Sequence, residues 1–220
     1  MGKNISKRIG SVIKLRPEYE ERYIILHRHT FPGVLSQIKK VNIRNYSIFL
    51  LGGILFSYYE YTGTNFSEDM KLIADDVTKD WWKLTDPMQE PFPDRKDGEW
   101  WSEMKIILPG MDQTISSDGS VRFAFTASLI KNLDADIEPS LVEIFDATRQ
   151  SVFSETVKNI NLFNKNDKVY LYLECKSNEA ALYFKYLNEL ITDNSDFRKL
   201  FITGEKNNIW NIMKEVFHTN

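Results

Sequence analysis

The 220-residue chain has one cysteine, Cys175, and three histidines, His27, His29 and His218. A lone thiol cannot form a disulfide within the chain, and it excludes every four-cysteine zinc pattern. It also favours a reducing compartment, so a cytoplasmic location is expected. Three histidines, two of them nearly adjacent, are too few for a histidine-based metal centre unless carboxylates assist. Basic charge is not in excess either. Lys plus Arg total 28 against 31 Asp plus Glu, a formal net charge of -3, so no nucleic-acid partner is expected. Long hydrophobic runs are missing as well. The longest, Ile48 to Phe56, is interrupted by Gly52-Gly53 and falls far short of the roughly 20 residues of a membrane span. The first residues carry no apolar run suited to a signal peptide, although Gly2 with Ser6 fits the loose N-myristoylation pattern. A glycine-rich phosphate loop and a GxSxG elbow are both lacking.

What is present is core material and rings. Hydrophobic residues make up 42% and charged residues 27%, ordinary values for a folded protein, whereas aromatics reach 13% with five Trp, ten Tyr and fourteen Phe. Such rings fill a core or line a ring-binding pocket.

The chain reads as one unit written twice. Ser11-Val12-Ile13-Lys14 recurs as Ser128-Leu129-Ile130-Lys131, Asp80-Trp81-Trp82-Lys83-Leu84 as Asp196-Phe197-Arg198-Lys199-Leu200, and Trp101-Ser102-Glu103-Met104-Lys105 as Trp210-Asn211-Ile212-Met213-Lys214. The offsets, 117, 116 and 109, differ only by loop-sized amounts (128 − 11, 196 − 80 and 210 − 101). This predicts a first unit over 1–108, a Gly-, Asp- and Ser-rich linker over 109–120, and a degenerate second unit over 121–220.

In the first half a strand from Arg8 to Leu15 precedes Pro17, which suits a first helical turn. Glu18, Glu20 and Glu21 follow at the positive end of the helix dipole. A second helical stretch follows Phe31-Pro32. Strands are predicted over Ile43 to Leu51 and Ile54 to Tyr61, joined at Gly52-Gly53. A helix over Ser67 to Trp82, a proline-containing loop and a strand over Trp100 to Leu108 complete the half. The order β-α-β-β-α-β is that of a ferredoxin-like unit. Such a sheet carries helices on one face only. The expected fold is therefore α+β, with two ferredoxin-like units packed sheet to sheet as an intramolecular pseudo-dimer of the dimeric α/β-barrel type. Such a pseudo-dimer is compatible with a monomer; the alternative is two independent domains that each dimerise with another chain.

His27 is the acid–base candidate, because imidazole titrates near neutrality. Tyr23 lies one helical turn before it on the same face. Its hydroxyl can donate to or accept from a sugar oxygen. His29 points about 200° away from His27, to solvent or a cap. In Asn45-Tyr46 the two side chains face opposite sides of a regular strand, and a bulge would be needed for both to line one pocket. The pairs Trp81-Trp82 and Trp100-Trp101 suit the apolar C–H face of a sugar ring. About 100° separates neighbours on a helix, so one member of each pair is expected to face a pocket. Asp75 and Asp76 diverge and read as a solvated face.

Several stretches together carry a family likeness. They are Arg16-Pro17, Tyr23, Leu26-His27, Phe31-Pro32, Asn42-Ile43-Arg44-Asn45-Tyr46-Ser47-Ile48-Phe49-Leu50, Trp81-Trp82-Lys83-Leu84-Thr85-Asp86-Pro87, Gln89-Glu90-Pro91 and Gly98-Glu99-Trp100-Trp101. In this order, over about residues 6–108, they resemble the L-rhamnose mutarotase family. The Thr-Asp-Pro…Gln-Glu-Pro…Gly-Glu-Trp-Trp version is most similar to members tied to L-fucose or other 6-deoxy sugars. The resemblance implies a ferredoxin-like fold, dimerisation through the sheets, and interconversion of α and β sugar anomers without cofactor or metal. It places the catalytic histidine on His27, the sugar-contacting tyrosines on Tyr23 and Tyr46, and the stacking tryptophans on Trp81 and Trp82. The family's usual Trp-Pro-Glu is Phe31-Pro32-Gly33 here. The alternatives are a sugar-binding or scaffold protein without catalysis on the same fold, and a dimeric-barrel monooxygenase. The second half is only faintly similar, best over Trp210 to His218. With Ile144, Phe145 and Asp146 near the place of His27, it reads as a copy that kept the fold and lost the site.

Overall fold

The computed structural model describes residues 5, 7–110, 120–130, 137–149, 157–176, 180–204 and 208–220. Gly2, Ser6, Lys131 and residues 111–119 of the expected linker lie outside them. The chain divides into two units, Met1–Met104 with Lys214–Asn220, and Lys105–Met213.

In the first unit β1 (Lys7–Leu15) pairs antiparallel with β3 (Ile54–Tyr61), and β3 with β2 (Ile43–Leu51). Gly52 and Gly53 turn the β2–β3 hairpin with φ of 55° and 73°. Both angles belong to the tight turn that matches strand twist, and glycine adopts them without strain. The unit's helices are α1 (Glu20–Arg28), α2 (Pro32–Lys40), α3 (Phe66–Leu72) and α4 (Asp76–Thr85), the first two in the expected places. Pro32 opens α2, where its missing N–H satisfies no bond anyway. Tyr23, Ile24, Val34, Ile38 and Trp81 from these helices pack with Ile13, Ile43, Ile48 and Leu50 from the sheet in one core.

The outer edge of β1 carries two short strands, β4 (Gln89–Glu90) and β5 (Ser102–Glu103). The free edge of β2 is taken by Lys214–Thr219, the later part of β10 (Asn211–Thr219). In the second unit β6 (Lys105–Leu108) pairs with β8 (Val157–Lys165), β8 with β9 (Lys168–Lys176), and β9 with β7 (Ser120–Ser128). Residues 211–213 of β10 pair with β7. Helices α5 (Glu138–Arg149), α6 (Ala180–Asp193) and α7 (Ser195–Arg198) complete this unit. Both units share the ferredoxin-like strand order fourth–first–third–second, with one further strand beside the second.

Three expectations change. The strand expected over Trp100 to Leu108 is split, with Ser102–Glu103 pairing with β1 and Lys105–Leu108 with β8. The first unit therefore gives up residues 105–108 and gains 214–220. The helix expected over Ser67 to Trp82 breaks before Asp75, whose side chain accepts the Thr78 backbone N–H at 2.8 Å. Asp75 is thus the N-cap that starts α4 rather than a residue inside a continuous helix. The ladder also corrects the first repeat match. Arg8 faces Glu60 and Arg122 faces Glu174, a common offset of 114 (122 − 8 and 174 − 60), so the counterpart of Ser11 is Phe125. The added strands match too. Glu215 and Phe217 face Phe49 and Ile48, while Ile106 and Leu108 face Phe163 and Leu162, each across a register shift.

One irregularity aims the site. Arg44 faces Glu60 but Ser47 faces Tyr58, so β2 carries one extra residue at Asn45-Tyr46. Asn45 sits at φ 50°, a left-handed conformation that asparagine tolerates and β-branched residues do not. Its buried amide donates to Glu60 Oε1 at 3.2 Å, beside the Tyr58 hydroxyl at 2.8 Å. We expect Asn45→Val to lower unfolding stability by about 1–3 kcal/mol. Asn45→Gly keeps the backbone and should lose less. Equal thermal midpoints for the two variants would show that residue 45 does not hold the bulge.

Candidate active site

Helix α1 presents Tyr23 and His27 one turn apart, and both are buried, at 0% and 8% exposure. His27 Nδ1 lies 2.9 Å from the Tyr23 carbonyl oxygen. A carbonyl can only accept, so Nδ1 carries the hydrogen and Nε2 keeps its lone pair. The two rings stack at 3.9 Å between centroids, 28° apart in plane. Trp81 and Phe217 meet the imidazole edge-on at 5.2 and 5.8 Å. Burial among these rings lowers the His27 pKa from 6.5 to about 4, outweighing the opposite effect of the Tyr23 carbonyl.

The polar end of Tyr23 is held by a relay. The Trp100 indole N–H, which can only donate, bonds Gln89 Oε1 at 2.8 Å. This fixes the amide so that Gln89 Nε2 donates to the Tyr23 hydroxyl oxygen at 3.3 Å. The phenolic hydrogen of Tyr23 is then left for another acceptor. Burial first, then the neighbouring Tyr46, push the Tyr23 pKa well above its usual value, with the Gln89 bond pulling the other way. Burial also raises Tyr46 to about 12 and shifts the Asp86 carboxyl upward. At neutral pH the imidazole and both phenols are uncharged.

These groups line a cavity with two lobes. One, of about 310 Å³, is bounded by Tyr23, Asp86, Gln89 and Trp100. The other, of about 320 Å³, is bounded by Val34, Ile38, Met70 and Ile73, among others. His27, Tyr46, Ile48, Trp81, Trp82 and Trp101 line both. Each lobe is at the small end of the range of roughly 300–1,000 Å³ typical of ligand sites. No Lys or Arg among the described residues lines either lobe. Among the described residues no three His, Cys, Asp or Glu side chains converge to hold a metal ion.

All five residues singled out in the sequence, His27, Tyr23, Tyr46, Trp81 and Trp82, meet at this cavity. The expectation of one pocket-facing member per tryptophan pair does not hold. Trp81 and Trp82 both line the lobes, because the cavity wraps around about a quarter of the α4 circumference. Trp100 and Trp101 both reach it from a bend rather than from a helix. The bulge turns Tyr46 inward, while Asn45 bonds Glu60 instead. His29 is the exposed C-cap of α1.

The two departures from the family pattern also find places. Phe31 packs edge-on against Trp81 at 5.2 Å. A Cβ at Gly33 would stand 2.8 Å from Val77 Cγ1, so α2 and α4 approach too closely there for a larger residue without a shift. Three site groups went unrecognised. Gln89 and Asp86 lie inside the stretches that carry the family likeness, with no local signal for their place at the cavity. Phe217 arrives from the far end of the chain, which no local pattern reveals.

Two solved structures share the fold. One, from Fusobacterium nucleatum, is described as a candidate monooxygenase and aligns with a TM-score of 0.56 at 12% identity, over 100% of this chain and 96% of that one. Another of the same description, from Lactobacillus acidophilus, gives 0.58 at 8% identity, over 97% and 96%. At such identities the likeness concerns the fold alone. The sequence relatives speak to the site-bearing half. The L-rhamnose mutarotase of Lactiplantibacillus plantarum is 33% identical over 86 residues, 38% of this chain and 80% of that protein. The L-rhamnose mutarotase of Oceanobacillus iheyensis is 28% identical over 86 residues, 38% and 81%. The family pattern of L-rhamnose mutarotase matches residues 8–108, the stretch that supplies every cavity residue except Phe217. The chain therefore belongs to the L-rhamnose mutarotase family.

Proposed function

We propose that the protein interconverts the α and β anomers of a neutral 6-deoxy-L-hexose, of the L-rhamnose or L-fucose type, in the cytoplasm. The observation that carries this reading is the buried neutral imidazole of His27. Its Nδ1–H is tied to the Tyr23 carbonyl, and its only remaining ring nitrogen belongs to a cavity walled by indoles. In the opening step Nε2 takes the proton from the O1 hydroxyl as the C1–O5 bond breaks, giving the open-chain aldehyde. The imidazolium returns that proton to O5. Rotation about C1–C2 and the reverse steps give the other anomer. Tyr23, held protonated by its raised pKa, serves as hydrogen-bond donor to O5 while negative charge develops there. A conjugate acid near pKa 4 is a strong proton donor to an alkoxide. Sugars mutarotate slowly in water, so an acceleration of about 10²–10⁴-fold suffices. That no Lys or Arg among the described residues lines either lobe disfavours phosphorylated sugars.

The second unit we read as a degenerate copy that retains the fold without the site. The common ladder offsets support this. So does α5, which buries Leu141, Ile144 and Phe145 and offers no acid–base group among them.

Saturation-transfer NMR on L-rhamnose or L-fucose should show faster anomer exchange with the protein, and His27→Ala should remove the gain. Sugar binding by calorimetry with no faster exchange would leave a binding role instead. The pH profile follows from the lowered pKa. Catalysed exchange should be level from pH 8 down to about 5 and fall below about pH 4, as Nε2 becomes protonated. Stability should respond over a related window. Between pH 6.5 and about 4 the unfolded chain binds the proton that folded His27 refuses, so His27 makes stability fall as the pH drops through that range. His27→Phe should flatten this part of the curve. Gln89→Glu should lower exchange about tenfold, by drawing the Tyr23 hydrogen onto the new carboxylate. Unchanged exchange in that variant would remove Gln89 from the mechanism.

A further inference from the structure

The proton exchange occupies only the polar side of a two-lobed cavity. Tyr23, Asp86 and Gln89 offer partners for ring hydroxyls in one lobe. The other lobe has an apolar wall of Val34, Ile38, Ile43, Met70 and Ile73. Its polar groups include Ser11, Ser57, Tyr59, Glu99 and Glu103. His27 lies at the junction, since it lines both. Sugar stereochemistry then limits what enters the second lobe. O1 and O5 share C1, so a base serving both faces that edge of the ring. C5, with C6 attached, is the next atom beyond O5. With the ring hydroxyls directed to the polar lobe, C6 is the substituent directed past His27 into the apolar one.

A methyl group fills little of about 320 Å³. We propose that this lobe is a subsite for a neutral, apolar extension at C6, so that reducing L-hexoses bearing an ether- or ester-linked alkyl group there are substrates. The inference rests on the mutarotase reading and extends it. Glu103 beside the lobe repels an anionic extension, while Glu99 is paired with Lys96 at 3.9 Å, and among the described residues no Lys or Arg lines the lobe itself. Each methylene buried in the lobe adds roughly fourfold in affinity.

The test is anomer exchange by saturation-transfer NMR with four sugars: L-rhamnose, L-mannose (which carries a hydroxyl at C6), 6-O-butyl-L-mannose and L-mannose 6-phosphate. The expected kcat/KM for the butyl ether is at least tenfold above that for L-mannose, and the phosphate should show no catalysed exchange. Ile73→Trp, which narrows the lobe, should lower the ratio of butyl ether to L-rhamnose by at least tenfold. Val34→Phe tests the same ratio from the other helix, should the first variant fold poorly. If the wild-type protein exchanges L-rhamnose but handles the butyl ether no better than L-mannose, the subsite is overturned and the mutarotase reading stands. If no sugar in the set is accelerated, both fall together.

Discussion

The hydrogen bond from His27 Nδ1 to the Tyr23 carbonyl decides what the rest of the site can do. It selects one tautomer of the imidazole and leaves one lone pair for chemistry. Helical spacing makes the bond: residue 27 lies one turn beyond residue 23, and the ring folds back along the helix to reach that carbonyl. The same spacing stacks the two rings, and the stack removes water from the imidazole. Desolvation then keeps the base neutral, because a charge there would lack solvent. One local geometry therefore sets tautomer, orientation and charge state together. Gln89 does the equivalent for Tyr23, by way of an indole N–H that has no freedom to accept.

The sheet supplies the opposite wall, and it does so through departures from regularity. A flat β2 would send Tyr46 and Asn45 to opposite faces in strict alternation, with no control over which one reached the cavity. The extra residue at Asn45-Tyr46 re-aims the tyrosine, and the left-handed backbone of Asn45 makes the insertion tolerable. A second register shift, between Glu215 and Phe217, falls directly before the residue that meets His27. Bulges of this kind adjust side-chain direction without changing the fold.

Legibility in the sequence follows the range of the forces involved. β2 and β3 were readable to the residue, because alternation and Gly52-Gly53 act over a few positions. Tyr23 and His27 were readable because a helix places them by spacing alone. The strand over Trp100 to Leu108 was misread for a non-local reason: its residues are shared between two units, and no short pattern reveals which edge a β segment will join. The break between α3 and α4 was visible in principle. Asp75 with an N–H acceptor role three residues before Thr78 is a cap signal, but its neighbour Asp76 made the pair look like a charged helix face. The two tryptophan pairs show the limit of helical-wheel reasoning. A wheel gives directions, and only the cavity's breadth decides how many directions count.

The position of Phe217 bears on what the residues beyond 108 contribute to the first unit. The relatives align over 38% of this chain, and the family pattern ends at residue 108. Yet the first unit contains Lys214–Asn220, and its core includes Val216 and Phe217. A chain ending at residue 108 would leave the edge of β2 unpaired and the edge-on contact to His27 unmade, unless a second molecule supplied an equivalent strand. Here the polypeptide runs through residues 105–213 and returns with that strand attached. Covalent attachment replaces association, so the wall of the site does not depend on protein concentration.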